Sequence, residues 1–152
     1  MTDEAPQPEF ALQLVYLKDC SFEAPNGPRF DPKEWNPQIA LDLNTNSDVI
    51  GDDTREITLT VNVTAKFADK TAFIAEVKQS GAFTMRSLSD EDMRRAVACV
   101  APAMLFPYAR AVVSQLVSQG GFPQLLLPPV NFDALYARSL AEAQQAQEAV
   151  KN

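Results

Sequence analysis

The chain has 152 residues, a net charge of −7 and no histidine. The acidic balance argues against nucleic acid and anionic lipid as partners, because both attract basic surfaces. Without histidine, the chain cannot use Ser–His or Cys–His nucleophiles, and it lacks the commonest zinc ligand. Its five glycines form neither a GxGxxG nor a GxxxxGK phosphate loop. We therefore predict a single domain with no catalytic residues, no cofactor and no metal.

The start of the sequence predicts no targeting or membrane segment. Residues 1–9 are acidic, contain two prolines and lack the basic and apolar regions of a signal peptide, so we predict a flexible N-terminus. The longest apolar run, residues 96–109, spans 14 positions, and a bilayer needs about 20. We therefore predict no direct membrane insertion. Cys20 and Cys99 lie far apart and are predicted to be reduced and buried in a cytoplasmic protein.

The first strand and the loop after it differ in pattern. Alternating apolar residues predict a strand that ends near Cys20 and has one face made by Phe10, Leu12, Leu14 and Tyr16. On that parity, Asp19 points to the opposite face. Residues 21–37 contain four prolines, so no regular element is expected there. The same loop carries three aromatic residues, Phe22, Phe30 and Trp35, which either pin it to the core or line a binding surface.

Three more strands follow. Residues 39–44 predict the second strand, and a polar loop is expected over residues 44–54. The third strand, residues 55–67, alternates strictly between apolar and polar positions. After a tight turn at residues 68–70, the fourth strand is predicted over residues 71–85. Its inner face would carry Phe73, Ala75, Val77 and Gln79, and its outer face Ile74 and Glu76.

Helical spacing begins after Ser89, a predicted N-cap. The main apolar stripe of this helix is Met93, Val97, Val100, Met104, Tyr108, Val112 and Leu116, and we expect Pro102 and Pro107 to kink the helix before it stops at residues 120–121. A last helix is predicted from Asn131 or Asp133 to about Val150. Strands followed by helices predict the α+β class, with a four-stranded antiparallel sheet and both helices on one face.

The long helix is also apolar away from its main stripe. These further apolar positions are Ala103, Leu105, Phe106, Val113 and Val117. A helix that is apolar on most sides needs cover on more than one side, so we predict that another subunit packs against it. The inner row of the fourth strand, Ala75, Val77 and Gln79, is predicted to support that oligomer interface.

Several blocks of sequence resemble the SecB protein-export chaperone family. They are YLKDCSFEAPN at residues 16–26, FIAEV at 73–77, LFPYAR at 105–110, FPQL at 122–125 and PVNFDALY at 129–136, with Trp35 after the first block. The blocks occur in order across about residues 10–140, and together they are highly specific. One departure is Ala101 before Pro102, where family members often have cysteine.

The resemblance implies a function and an assembly. It implies a SecB-like chaperone domain over residues 10–140, followed at residues 141–152 by a polar helix end and tail. Family members are homotetramers, dimers of dimers, in the bacterial cytoplasm. They hold unfolded secretory precursors without ATP and deliver them to the SecA motor ATPase.

The same resemblance implies two binding sites. The client-binding residues carried over from the family are Trp35, Ile39, Leu41, Leu43, Phe132, Leu135 and Tyr136. Those carried over for SecA binding are Asp19, Glu23, Ile74 and Glu76, which would form an acidic outer patch with an apolar centre.

The sequence also allows interpretations without these binding functions. The groove residues could be ordinary core, and the acidic face could be no more than a solvated sheet surface. A small-ligand-binding protein or enzyme with a pocket beneath the sheet is the alternative function, although the sequence offers no pair of catalytic carboxylates. A purely structural oligomer is a third class.

Overall fold

A four-stranded antiparallel sheet organises the chain. The computed structural model describes residues 5–151, and the strands are β1 (Glu9–Glu23), β2 (Gln38–Gly51), β3 (Thr54–Phe67) and β4 (Lys70–Arg86). They lie in the order β1-β4-β3-β2. β3 and β4 are therefore central, while β1 and β2 are the edges. The helices follow the strands in sequence and lie on one face of the sheet, which confirms the predicted α+β class.

β2 is longer than the sequence pattern predicts. The polar loop expected over residues 44–54 is wrong, because β2 continues to Gly51 and pairs with β3 as far as Gly51 opposite Thr54, with one register shift after Val49. Arg55 also donates a hydrogen bond from Nη1 to Ser47 Oγ at 3.2 Å. Polar residues are tolerated here because an edge strand needs backbone pairing on one side and can leave its side chains in water.

β1 carries two bulges, which change the direction of the side chains between them. The register with β4 shifts between Leu12 and Leu14 and again between Leu17 and Asp19. Each extra residue reverses the alternation. Leu12 pairs with the buried Phe83, but Tyr16 pairs with Ser80 on the outer face. The predicted shared face of Phe10, Leu12, Leu14 and Tyr16 is therefore wrong, and Leu14 is 59% exposed.

The long helix is continuous from Asp90 to Gln119 but contains a wider turn. α1 (Asp90–Arg95) leads through a π-helical turn (Ala96–Val100) into α2 (Ala101–Gln119). Ser89 Oγ accepts a hydrogen bond from the Asp92 N–H at 3.1 Å, which confirms the N-cap. Pro102 has no N–H for the α-helical pattern, and the π turn lies directly before it. Pro107 lies inside α2.

The stripe that faces the sheet is not the predicted main stripe. Leu105, Ala109, Val113 and Val117 are fully buried, whereas Val100, Met104 and Tyr108 from the predicted stripe are exposed. Because both sides of the helix are apolar, spacing alone could not decide which side packs. By length and composition alone this helix could cross a membrane, but here its sheet-facing stripe forms the core.

The inner face of β4 belongs to that core. Phe73, Ala75 and Val77 are at most 1% exposed, and Gln79 is 3% exposed. The chain itself therefore covers the row predicted to support the oligomer interface. Gln79 Oε1 has no hydrogen-bond partner within residues 5–151.

Regular structure extends close to both ends of the described residues, and the two cysteines differ in exposure. In the predicted N-terminal segment, residues 1–4 lie outside the described residues, and Glu9 already belongs to β1, where it pairs with Arg86 at 3.0 Å. α3 (Phe132–Lys151) includes most of the predicted tail, and residue 152 lies outside the described range. Cys99 is buried as predicted, but Cys20 is exposed because its edge strand is not covered.

Candidate functional sites

An aromatic cavity lies where the proline-rich loop meets the sheet. The Trp35 ring lies 4.5 Å from that of Phe30, 5.2 Å from Phe67 and 5.6 Å from Phe122, measured between centroids. These four rings line a cavity of about 530 Å³ together with Asn26, Arg29 and Lys70, among others. Phe30 and Trp35 therefore do both things that the sequence left open, whereas Phe22 belongs to β1 and does not line this cavity. They pin the loop to buried Phe122, and they line a surface cavity.

A second cavity, the helix cavity, lies at the start of α3. It has a volume of about 200 Å³, and its lining includes Leu43, Phe132, Leu135 and Tyr136. Four of the seven predicted client-binding residues thus meet in one place, although they come from opposite ends of the sequence. Asn131 Oδ1 accepts a hydrogen bond from the Ala134 N–H at 3.0 Å, which caps α3 and orients its first turn.

A row of apolar residues on β2 lies between the two cavities. Ile39, Leu41 and Leu43 pair with Ala65, Val63 and Val61, whose side chains are fully buried on the helix side of the sheet. Partners in an antiparallel pair share a face, so the β2 row faces the helix side too. Ile39 is nevertheless 38% exposed, and Leu41 and Leu43 are half-buried. We call this row and its two flanking cavities the apolar groove.

The connector between α2 and α3 bounds the same groove, and periodicity did not assign it a role. Phe122 at its start lines the aromatic cavity, and Phe132 just after its end lines the helix cavity. Leu127 in its middle is buried, while Leu126 is exposed. Two features of the sequence could have indicated a role for this connector, namely its proline-rich composition and the aromatic residue at each end. Phe67 was also missed, because it read as the end of a strand.

A third cavity borders the helix cavity through Phe132. Its volume is about 650 Å³, and its lining includes Cys99, Met104, Arg95 and Asp133. Arg95 and Asp133 form an ion pair at 2.9 Å between Nη2 and Oδ1. Burial raises the pKa of the Cys99 thiol, and the nearby Asp133 carboxylate raises it further. Because its pKa is raised, the thiol is protonated at neutral pH and is therefore a poor nucleophile.

The outer face of the sheet brings together the predicted acidic residues. Glu23 pairs with Ile74, and Asp19 pairs with Lys78, two positions beyond Glu76 on the same face of β4. Ile74 is 38% exposed at the centre of this group. The acidic docking face, as we call Asp19, Glu23, Ile74 and Glu76, is therefore one continuous surface. Asp19 points outward as predicted, but only because the two bulges cancel.

A polar network borders the acidic docking face. Glu56 accepts hydrogen bonds from Tyr16 Oη and Lys18 Nζ, both at 2.5 Å. Partial burial, helped by the Glu56 carboxylate, raises the pKa of Tyr16 to about 12. The hydrogen bonds from Lys18 and Tyr16 lower the pKa of Glu56. Next to this network, Thr58 and Ser80 share a buried hydrogen bond of 2.7 Å.

The sequence matches one family model along most of its length. The model describes preprotein translocase subunit SecB, and it matches residues 3–143. The chain belongs to the SecB family. This confirms the family that the sequence blocks resemble.

Individual SecB proteins are similar over nearly their whole length. The protein-export protein SecB of Hahella chejuensis is 50% identical over 147 residues, which cover 96% of this chain and 92% of that protein. The SecB of Ectopseudomonas mendocina is 47% identical over 146 residues, covering 96% and 91%. A SecB-like chaperone of Mycobacterium tuberculosis, solved in complex with a ChAD peptide from an antitoxin, superposes with a TM-score of 0.69 at 15% identity. That match covers 80% of this chain and 91% of the other, and it demonstrates the shared fold.

These comparisons establish the general function. The chain is a protein-export chaperone of the SecB family, and SecB is not a family of enzymes. The alternative of a small-ligand-binding protein or enzyme is not favoured. Within residues 5–151, no group of three or more Cys, Asp or Glu side chains is arranged to hold a metal ion.

Proposed function

We propose that the apolar groove holds unfolded segments of secretory precursors without ATP. The observation that carries this proposal is the half-exposed β2 row, which continues at both ends into a cavity with aromatic walls. Aromatic and aliphatic surfaces bind many sequences because apolar contact makes few directional demands. At about 25 cal/mol per Å² of buried apolar area, several weak contacts along one client are sufficient for holding.

The edge position of β2 supports an extended client. An edge strand has unpaired backbone groups along one side, and an extended peptide can pair with them. Because the Mycobacterium tuberculosis relative was solved with a bound peptide, peptide binding by this fold has a precedent. A client paired with β2 would place every second side chain on the helix side of the sheet, beside the apolar row.

A double substitution tests the groove. Leu41→Arg with Leu43→Arg should weaken binding of an unfolded client by at least about tenfold, because buried charge opposes apolar contact. Asp42→Arg with Asn44→Arg is the matched control, since it adds two arginines to the other face of the same strand. The measurement is the slowed refolding of a denatured precursor at stoichiometric chaperone without ATP. Circular dichroism and sedimentation establish first that both variants are folded and assembled.

The outcomes separate the groove from its alternatives. Loss of holding in the groove variant alone supports the proposal. Wild-type holding by a well-folded groove variant would remove the β2 row from the client site. If the wild-type chain does not slow refolding at all, the holding activity itself is wrong.

We further propose that the acidic docking face binds the SecA motor ATPase. Three carboxylates around exposed Ile74 offer negative charge with an apolar centre, which suits a basic and apolar partner surface. Such charges act mainly on encounter rate and register, and salt weakens them. This face lies opposite the apolar groove, so a client and the motor can be bound together.

Calorimetry at two ionic strengths tests the docking face. The triple variant Asp19→Ala, Glu23→Ala, Glu76→Lys should lose SecA affinity by more than about tenfold at low salt while client holding persists. Asp42→Ala, an acid on the same sheet face but on β2, should bind SecA as the wild type does. Wild-type affinity in the triple variant, or an equal loss of client holding, contradicts a dedicated docking face.

We propose that the working form is a cytoplasmic homotetramer, a dimer of dimers. Exposed Val100, Met104 and Tyr108 form an apolar stripe on the side of the long helix away from the sheet. A second subunit on this stripe would bury surface that the chain alone leaves in water. Several linked grooves would raise avidity for one long client through effective concentration.

A further inference from the structure

The positions of the acidic residues on β1 depend on its two bulges. Phe10 pairs with Met85, so an uninterrupted ladder would set Asp19 opposite Glu76 and Glu23 opposite Ala72. Like charges directly opposite each other are unfavourable. Because of the two extra residues, Asp19 lies opposite Lys78 and Glu23 lies opposite Ile74. The pairing of Asp19 with Lys78 and of Glu23 with Ile74 therefore depends on the bulged register.

Core packing holds this register weakly. Register is well specified where one face of a strand is buried. Along the inner side of β1, however, Leu17 is 45% exposed and Cys20 is exposed as well. Between half-buried Val15 and half-buried Phe22, the inner side of β1 has little burial to resist slippage. A polar contact is needed to hold the second bulge.

Glu56 makes that contact from two strands away. Its carboxylate accepts hydrogen bonds from Tyr16 and Lys18. Tyr16 points outward because of the first bulge, and Lys18 is the extra residue of the second bulge. β4 lies between β1 and β3, but its outward residues there are the small Ser80 and Ala82. Their size leaves room for the Tyr16 and Lys18 side chains to reach across. The Glu56 side chain is only 14% exposed, so water competes little for these bonds.

We propose that Glu56 is a positioning residue that sets the register of β1 and thereby places the acidic docking face. This inference rests on the proposed SecA docking. Glu56 acts through Tyr16 and Lys18 and need not touch the motor itself. Without its carboxylate, the segment between the bulges would lose its outer anchor, and the spacing of Asp19 and Glu23 around Ile74 would become variable.

Two variants separate positioning from direct electrostatics. Lys18→Met removes a positive charge beside the docking face, so direct attraction of a basic partner would strengthen SecA binding. Positioning predicts the opposite, a loss of about tenfold. Tyr16→Phe removes one hydrogen bond and no charge, and it should weaken SecA binding in the same direction. Glu56→Ala removes both contacts, while Glu56→Gln is the milder variant if Glu56→Ala does not fold.

The measurements are made on the full chain in its native assembly. Hydrogen exchange of the β1 amides over residues 13–19 should become about tenfold faster in Glu56→Ala, and SecA affinity, measured by calorimetry, should fall. Client holding should persist. Asp42→Ala is the control for removing an acid from the same sheet face, and it should change neither exchange nor affinity.

Each outcome decides a separate question. Wild-type exchange over residues 13–19 in Glu56→Ala, or tighter SecA binding by Lys18→Met, overturns the inference. So does wild-type SecA affinity in Glu56→Ala when Asp19→Ala binds weakly. If Asp19→Ala itself binds SecA as the wild type does, the docking proposal fails, and the exchange measurement still decides whether Glu56 sets the register.

Discussion

At the scale of single residues, the ionisable groups of the outer face depend on one another. Hydrogen bonds from Lys18 and Tyr16 lower the pKa of Glu56. Partial burial raises the pKa of Tyr16 to about 12. The two shifts have opposite signs because the fold favours the charged carboxylate and the neutral phenol. Their effects on stability should therefore appear at opposite ends of the pH range.

Tyr16 should make folding stability fall in strong base. An unfolded tyrosine releases its proton near pH 10, while folded Tyr16 keeps it until about pH 12. Its contribution is complete below pH 10 and is lost as the pH rises through 12. Tyr16→Phe has no such proton, so the free energy of unfolding, measured in urea, should fall less steeply over that range.

The alkaline slope of unfolding decides whether the Tyr16 phenol has this role. Equal slopes for wild type and Tyr16→Phe would contradict the role given to the Tyr16 phenol. At the acid end the sign is reversed, since the Glu56 contribution is present at neutral pH and is lost as the pH falls.

At the scale of elements, the contact between α2 and the sheet depends on a glycine. Gly81 lies in the middle of β4 and pairs with Ile57 and Val15 without a bulge in its own strand. A Cβ atom built there would lie 2.8 Å from Phe83 Cε2 and 3.0 Å from Leu105 Cδ2. Gly81 therefore serves close packing between β4 and α2 rather than a bulge.

Gly81→Ala should destabilise the fold by about 1–3 kcal/mol, because overpacking forces neighbouring side chains out of position. Gly51→Ala is the matched control, since its added Cβ would lie 3.8 Å from Thr54 Cβ, an ordinary contact. Urea unfolding followed by circular dichroism measures both. A Gly81→Ala chain as stable as the Gly51→Ala chain would mean that α2 can move away from the sheet at little cost.

At the scale of the whole molecule, the exposed apolar stripe on the long helix is the feature that a single chain leaves unexplained. Val100, Met104 and Tyr108 recur every four residues on the side away from the sheet. In contrast, Ala75, Val77 and Gln79 are covered by their own chain. Substitutions in that inner row would disturb the core before they disturb an interface. The exposed stripe is therefore the sharper test of assembly.

Tyr108→Glu should shift the assembly from tetramer towards dimer, because a charge in an apolar interface is costly to desolvate. The chain should keep its fold, since Tyr108 is 50% exposed in the single chain. Sedimentation velocity at micromolar concentration measures the shift. Ala141→Glu, at an exposed position on α3 away from this stripe, is the control for added charge. A wild-type chain that sediments as a monomer would end the tetramer proposal.

The fold class and the family follow from local patterns in the sequence. Strict alternation in β3 and helical spacing after Ser89 are local patterns, so they predicted the sheet, the long helix and the α+β class. The ordered sequence blocks identified the SecB family. The seven groove residues and the four residues of the docking face came from the same resemblance, and their binding roles remain predictions.

Which faces of these elements meet depends on contacts between residues that are distant in the sequence. Spacing could not choose between the two apolar sides of the long helix, and the alternation in β1 contained no sign of its bulges, because both depend on contacts with distant strands. Trp35 and Phe122 lie far apart in sequence, as do Leu43 and Leu135, so no local pattern could join them into one groove. The register of β1 depends on Glu56, which is 38 residues beyond Lys18. Local propensity sets the elements, whereas long-range packing and polar contacts set their register and their exposed faces.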